Sequence, residues 1–171
     1  MDAMAARQTA GPDDPYISAL AGKYLAFALV DEEYCLPVLK VREIIKAMDI
    51  TRVPQVPAHV RGVINLRGKV IPVVDLRLKF GFPAQDYTQR TCIIVVDVSP
   101  GGVNAMMGIV VDAVSEVLNI GGTEIDRTPD FGGSVATDIV MALAKVRGSV
   151  KILLDLDRLL STDIQAVGRA S

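Results

Sequence analysis

The chain has 171 residues, of which 50% are hydrophobic, 22% charged and 5% aromatic, and its formal net charge is −2. A chain of this length forms one domain or two small domains packed together, and the apolar fraction excludes disorder over most of it. The near-neutral charge excludes the strongly basic footprint typical of nucleic-acid-binding proteins. No run of about 18 apolar residues is present and the first residues lack a signal-peptide pattern, so we expect a cytoplasmic protein.

β-Branched residues dominate the apolar set, since Val and Ile number 37 against 15 Leu. These residues favour strands, and short apolar runs separated by turn residues predict a barrel or a sandwich. Residues 1–22 lack a sustained period and are expected to form a mobile arm, although Ile17 and Leu20 could dock at its end. In chain order, strands are predicted at 23–30, 33–38, 41–45, 62–66, 70–76, 91–98, 103–114, 139–146 and 150–156, with short helices at 76–80 and 157–160.

The residue types that hold metals and perform catalysis are scarce. His59 is the single histidine, and the two cysteines, Cys35 and Cys92, lie far apart within apolar runs. These counts exclude sites built on two histidines or four cysteines, and both thiols are expected to be buried apolar filler. The motifs GxGxxG, GxxxxGK(S/T), GxSxG and SxxK are also absent. We therefore expect no metal, no cofactor and no enzymatic activity.

The sequence contains an internal repeat. The segment 62–80 aligns without gaps with 142–160, and VREII (41–45) resembles VSEVL (114–118). This duplication predicts two small barrels of roughly 70 residues each, which must pack together because domains of this size are rarely stable alone. The identical pairs are Arg67/Arg147, Gly68/Gly148, Val70/Val150, Asp75/Asp155 and Leu76/Leu156, and Glu43 aligns with Glu116.

Charge is divided unevenly along the chain. Residues 23–90 hold 11 Lys and Arg against 7 Asp and Glu, whereas residues 91–171 hold 6 against 10. Two unlike faces suit an adaptor that touches two different partners, although ordinary scatter of surface charge gives similar counts.

The segment GVINLRGKVIPVVDL (62–76) places Arg67 at the tip of a predicted hairpin, with Gly68 free to take a positive φ. Spacing alone leaves two interpretations of this arginine open. It could pair with a carboxylate such as Glu43 or Asp75 and so pin the strand. Alternatively it could anchor a partner, because a guanidinium on a rigid turn beside an apolar groove makes forked hydrogen bonds.

From Lys23 to about Leu160, the chain resembles the CheW family of bacterial chemotaxis coupling proteins. The matching pieces are FALVDEEYCLPVLKVREI, RGVINLRGKVIPVVDLRLKFG, GIVVDAVSEV and KILLDLDRLL, and the run NLRG-x-x-x-P-x-x-D-L is highly specific. The resemblance implies a mainly β fold of two SH3-like five-stranded β-barrel subdomains related by pseudo-twofold symmetry. We expect these subdomains at about 23–88 and 89–160, followed by a C-terminal tail at 161–171.

The resemblance also implies a non-enzymatic adaptor. It would join the cytoplasmic tips of methyl-accepting chemoreceptors to the regulatory domain of the chemotaxis histidine kinase, which would pack barrel end to barrel end against this chain. Such a protein binds no nucleic acid and reaches the membrane only through the receptors. A second interpretation keeps the fold and assigns the adaptor to a non-flagellar circuit, such as surface sensing, twitching motility or development.

The family's receptor-facing groove can be carried over by position. Two of the positions are glycines, which would let backbones approach closely. The groove residues implied by the resemblance are Val41, Glu43, Ile44, Gly62, Arg67, Gly108, Val114 and Val117.

Overall fold

The computed structural model describes residues 14–99, 102, 104–127 and 139–170, the last seven by backbone alone. In these residues short strands dominate, as the composition predicts. None of the helices in this part of the chain combines the length and the apolar character needed to cross a membrane. The strands are β1 (Gly22–Leu29), β2 (Glu32–Pro37), β3 (Val41–Lys46), β4 (Val60–Leu66), β5 (Lys69–Asp75), β6 (Cys92–Val98), β7 (Ala105–Val111), β8 (Ala113–Ile120), β9 (Ile125–Arg127), β10 (Val140–Val146) and β11 (Ser149–Leu154), and the helices are α1 (Pro15–Leu20), α2 (Leu76–Lys79) and α3 (Leu156–Ala170).

The strands form two sheets. One has the order β3-β6-β7-β5-β4, and the other has the order β8-β1-β2-β11-β10-β9. We call the first unit barrel 1 and the second barrel 2. The predicted mainly β class with two barrel subdomains is confirmed, and the short β9, which the sequence did not predict, extends barrel 2 to six strands.

The barrels do not divide at residues 88/89, where we predicted the boundary between contiguous subdomains. The β1–β2 hairpin belongs to barrel 2, because β1 pairs antiparallel with β8 and β2 pairs parallel with β11. The β6–β7 hairpin belongs to barrel 1, because β6 pairs antiparallel with β3 and β7 pairs parallel with β5. Each half of the chain therefore contributes its first hairpin to the sheet of the other half.

This exchange is reciprocal and preserves the predicted pseudo-twofold symmetry, in which β1 to β5 correspond to β6, β7, β8, β10 and β11. The match is close at two hairpin tips. Arg67 and Gly68 have φ angles of 51° and 84°, and Arg147 and Gly148 have φ angles of 50° and 81°. Two consecutive residues with positive φ form the turn that fits the right-handed twist of a hairpin.

The core consists of three apolar clusters, one inside each barrel and one between them. β1 contributes side chains to the cluster inside barrel 2 and to the one between the barrels, and β6 to the cluster inside barrel 1 and to the one between the barrels. Each strand does so because successive side chains point to opposite faces. Tyr24 and Ala26 point into barrel 2, whereas Leu25 and Phe27 point into the cluster between the barrels. We call this the shared cluster; its members include Leu25, Phe27, Leu29 and Leu36 of barrel 2 and Ile94, Val96, Met107 and Ile109 of barrel 1.

The arm expected at 1–22 is in part a packed element. Residues 1–13 lie outside the described residues, but α1 follows at once, and Ile17 is fully buried inside barrel 2. The Arg127 guanidinium donates two hydrogen bonds of 3.0 Å to Asp14, and the Tyr16 hydroxyl donates one of 2.5 Å to the Met141 carbonyl oxygen. A buried isoleucine and these polar contacts hold a helix that is too short to be stable alone.

The tail expected at 161–171 instead continues α3 as far as Ala170. Asp163, only 1% exposed, explains why the helix stays on the protein. Its Oδ1 atom lies 2.5 Å from Nε2 of His59, and its Oδ2 atom lies 3.0 Å from Nζ of Lys79. Because His59 and Lys79 border barrel 1, the buried carboxylate of Asp163 links α3 to barrel 1.

Candidate functional site

Arg67 forms a forked ion pair with Glu43. Its Nη1 atom donates to Glu43 Oε1 at 2.5 Å, and its Nη2 atom donates to Oε2 at 2.8 Å. Of the two carboxylates that the sequence left open, the structure thus selects Glu43 and not Asp75. The hydrogen bond from Arg67 holds the pKa of Glu43 below its ordinary value, so the pair is charged at neutral pH. The Arg67 side chain nevertheless remains 73% exposed.

This ion pair, which we call the first clasp, crosses the seam of barrel 1. Glu43 lies on β3 and Arg67 follows β4, and these strands are the two edges of the five-stranded sheet. The clasp therefore brings together two edges that have no backbone ladder between them. Both interpretations of Arg67 remain compatible with its geometry, because it pins a strand and still presents an exposed guanidinium.

Four predicted groove residues lie on the sheet faces that are turned toward each other. Side chains of directly paired residues project from the same face of a sheet, and each of the four is paired with a member of the shared cluster. Val41 and Val114 pack against that cluster, whereas Ile44 and Val117 are 43% and 59% exposed. An apolar margin therefore runs along β3 and β8 beside the junction of the barrels. The pairs are Val41–Val96, Ile44–Ile94, Val114–Phe27 and Val117–Leu25.

The two predicted glycines do not face the groove. Both are buried in barrel 1, where they make its packing possible. Gly62 has a φ of 140°, and a Cβ atom there would lie 2.0 Å from the Thr51 carbonyl oxygen. A Cβ atom on Gly108 would lie 2.8 Å from a methyl carbon of Ile93. The expected close approach thus occurs within the chain, in the packing of barrel 1.

A second clasp, which the prediction of site residues missed, joins Glu116 to Arg147 in barrel 2. Arg147 Nη2 donates to Glu116 Oε2 at 2.7 Å, and both side chains are exposed, at 67% for Arg147 and 42% for Glu116. The two residues are the pseudo-twofold counterparts of Arg67 and Glu43. The signal was present in the sequence, because the repeat aligns both positions, but the family's groove pattern does not include them.

Barrel 2 also holds a second ion pair, in which the lysine is buried and the glutamate is partly exposed. Lys151, 6% exposed, binds Glu33 on the adjacent strand, and the Ser115 hydroxyl donates to Glu33 at 2.9 Å. The hydrogen bond from Lys151 is the main reason that the pKa of Glu33 lies below its ordinary value. Among the described residues, no group of three His, Cys, Asp or Glu side chains is arranged to hold a metal ion.

Comparison with known families decides what kind of protein carries these surfaces. A family model for a CheW-like domain matches residues 23–163. The chain belongs to the CheW family. The match begins at residue 23, after α1.

CheW proteins of several bacteria resemble most of the chain. Chemotaxis protein CheW of Klebsiella aerogenes is 36% identical over 156 residues, which cover 88% of this chain and 92% of that protein. CheW of Rhizobium meliloti is 36% identical over 78% of this chain and 83% of its own length. The crystal structure of the scaffolding protein TtCheW from Thermoanaerobacter tengcongensis has a TM-score of 0.73 at 33% identity, covering 82% of this chain and 93% of that one. The predicted family, fold and role as a chemotaxis scaffold are thereby confirmed.

Proposed function

We propose that this CheW-family protein couples the cytoplasmic tips of methyl-accepting chemoreceptors to the regulatory domain of a chemotaxis histidine kinase, without catalysing a reaction itself. The receptor would bind along the junction of the barrels. The observation that carries this proposal is the apolar margin along β3 and β8, in which Ile44 and Val117 are exposed, together with the exposed Arg67 at the seam of barrel 1. Exposed apolar residues beside a fixed guanidinium suit the apolar face of a helix.

The two barrels differ in charge, which supports two unlike partners. Residues 41–111, which build barrel 1, contain 9 Lys and Arg against 5 Asp and Glu. Residues 14–40 and 112–171 contain 8 against 13. The contrast predicted from the two halves of the sequence thus survives the exchange of hairpins. Complementary charge steers encounter and fixes orientation, so a kinase domain of the same fold can distinguish the two barrel ends.

Each contact in such a coupler is expected to be modest in strength. The clasp is solvent-exposed, and exposed ion pairs contribute only about 0–1 kcal/mol. In an array of receptors and kinases, repeated weak contacts gain strength through high effective concentration. The protein would then be recruited to the membrane through the receptors.

The test is a titration of the purified protein with a soluble chemoreceptor tip fragment and, separately, with the kinase regulatory domain from the same organism. Arg67→His should weaken binding of the receptor fragment by roughly tenfold. It should leave the melting temperature and kinase binding within error, because the side chain is exposed. Arg52→His changes an exposed arginine of the same barrel outside the groove and serves as the matched control. Failure of the wild-type protein to bind either partner would contradict the proposal.

The second candidate, an adaptor of a non-flagellar circuit, uses the same groove. The chain is 29% identical over 150 residues to Protein FrzA of Myxococcus xanthus, a relative that bears another name. Titration against tip fragments of several receptors from the same organism separates the candidates, because the circuit is defined by the receptor that binds most tightly.

A further inference from the structure

We propose that Arg147 is a second anchoring residue for the receptor helices, placed by the pseudo-twofold symmetry at the barrel 2 side of the groove. This inference rests on the proposed function and deepens it. A single anchor fixes one end of an elongated ligand, whereas two anchors on opposite barrels fix its direction along the groove. The ligand that fits is a pair of helices with an apolar stripe and an acidic side chain available to each guanidinium.

The backbone presents both arginines in the same way. Each arginine occupies the first of two consecutive positive-φ positions, at 51° for Arg67 and 50° for Arg147, and each is followed by glycine. A left-handed conformation is uncommon for a residue with a side chain. Its occurrence at both tips means that the two hairpins aim their arginines equivalently with respect to their own barrels.

The surroundings of the two arginines are also equivalent. Each contacts a glutamate on the edge strand of its barrel, and the residue after that glutamate is an exposed aliphatic side chain on the groove side. These aliphatic residues are Ile44 in barrel 1 and Val117 in barrel 2. By the pseudo-twofold symmetry, Arg147 is therefore placed relative to the β8 part of the apolar margin as Arg67 is placed relative to the β3 part.

Arg147 has more capacity to bind a partner than Arg67. Arg67 donates through both of its terminal nitrogens, but Arg147 reaches Glu116 through Nη2 alone, and its guanidinium forms no other hydrogen bond with the described residues. Nε and Nη1 are thus available to a carboxylate, for which the planar guanidinium is suited. An ion pair as exposed as this one contributes little to stability, so a partner's carboxylate can compete with Glu116 for Arg147.

The experiment measures the affinity of the full-length protein for the soluble chemoreceptor tip fragment by fluorescence anisotropy. Arg147→Ala should weaken binding by about fivefold. Lys145→Ala is the matched control, because Lys145 lies on β10, the strand that leads to Arg147, is equally cationic and 73% exposed, and pairs with Asp126 on the side of β9. It should stay within twofold of the wild type. Arg67→Ala, measured in parallel, reports on the first anchor.

Glu116→Gln separates anchoring from a structural role. If Arg147 binds the ligand directly, removing the charge of Glu116 leaves affinity within twofold of the wild type or raises it. If Arg147 only braces the barrel through Glu116, Glu116→Gln weakens binding as much as Arg147→Ala does, which overturns the inference. If Arg147→Ala lowers the melting temperature, Arg147→Lys, which retains the charge, replaces it in this comparison with Glu116→Gln.

The outcomes distinguish this inference from the proposed function. If Arg67→Ala weakens binding while Arg147→Ala stays within twofold, the groove is a receptor site with one anchor, and only the inference fails. A wild-type protein that does not bind the fragment contradicts both.

Discussion

Barrel 1 and barrel 2 share a topology but fill it differently. At one end of barrel 1, Ile71 and Met106 belong to an apolar interior. At the corresponding positions of barrel 2, the repeat places the buried Lys151 and the partly exposed Glu33, which form an ion pair. The hairpin turns have the same conformation in both barrels, and each barrel has an arginine–glutamate clasp. Turn conformation and strand pairing therefore define this fold, whereas the end of the barrel can be filled either by apolar side chains or by an ion pair.

The two barrels differ again at the first bulge of their repeated hairpins. Gly62 in β4 corresponds to Ala142 in β10, and in both strands the pairing register shifts at this position. Barrel 1 requires glycine because the Thr51 segment crosses close by and bridges to Val63. Barrel 2 accommodates a methyl group, and Ala142 is fully buried.

The largest effect is expected at this pair of positions. Gly62→Ala forces a Cβ atom to within 2.0 Å of the Thr51 carbonyl oxygen at a φ of 140°, so the loop must move. We expect a loss of about 3 kcal/mol or more in the free energy of unfolding. Ala142→Gly should cost only about 1 kcal/mol, because it removes one methyl group and adds backbone freedom. Chemical denaturation of both variants measures the difference, and equal losses would mean that the barrels are alike at this bulge.

An intermediate effect on the free energy of unfolding is expected when the ion pair of barrel 2 is replaced by the apolar residues of barrel 1. Lys151→Ile removes the partner of Glu33 and should lower the free energy of unfolding by about 1–2 kcal/mol, less than for a fully buried pair because Glu33 is one-third exposed. The double variant Glu33→Met with Lys151→Ile copies Met106 and Ile71 and should recover most of that loss. A double variant less stable than Lys151→Ile would show that barrel 2 specifically requires the charges.

The same variants predict a change in acid stability. Lys151 lowers the pKa of Glu33 in the folded protein, so the charged carboxylate favours folding at neutral pH. This contribution is lost as the pH falls from the ordinary glutamate pKa, about 4.3, through the lower folded value. The free energy of unfolding of the double variant should therefore fall less steeply over this range than that of the wild type.

The smallest effect, one without a change in stability, concerns the two thiols. Cys35 in barrel 2 is fully buried, and burial raises its pKa to about 12, whereas Cys92 in barrel 1 is partly exposed. Because the thiolate is the reactive form, Ellman's reagent should label one cysteine in the native protein and the second only after unfolding. Cys92→Ser should abolish the native signal. Labelling of Cys35 in that variant would contradict the tight packing of barrel 2.

Local features of this molecule could be predicted from the sequence, and distant pairings could not. The hairpin around Arg67 and its repeat around Arg147 follow from turn residues and apolar runs that lie within one segment. The choice of Glu43 as partner depends on closure of the barrel, which brings together strands that are distant in the sheet order. The exchange of hairpins likewise depends on contacts between the two halves of the chain.

Some signals in the sequence were present but were not used. Asp14 followed by Pro15 is a typical helix start, and Asp14 indeed accepts a hydrogen bond from the Tyr16 backbone. The unbroken apolar character of TCIIVVDV (91–98) is typical of a strand buried on both faces, which is the position of β6 at the centre of the molecule. The second clasp was visible as an aligned glutamate and arginine, but only the shared geometry gives those residues a role.

The reciprocal exchange of hairpins has a consequence for how such a molecule can change. Its topology is that of a symmetric dimer whose two copies have traded their first hairpins and then been joined into one chain through residues 81–91. In a true homodimer, every substitution would occur twice, once on each side of the axis. In a single chain, each side can be substituted independently of the other. The ion pair in barrel 2 and the apolar residues at the same positions of barrel 1 are a difference that a homodimer could not have.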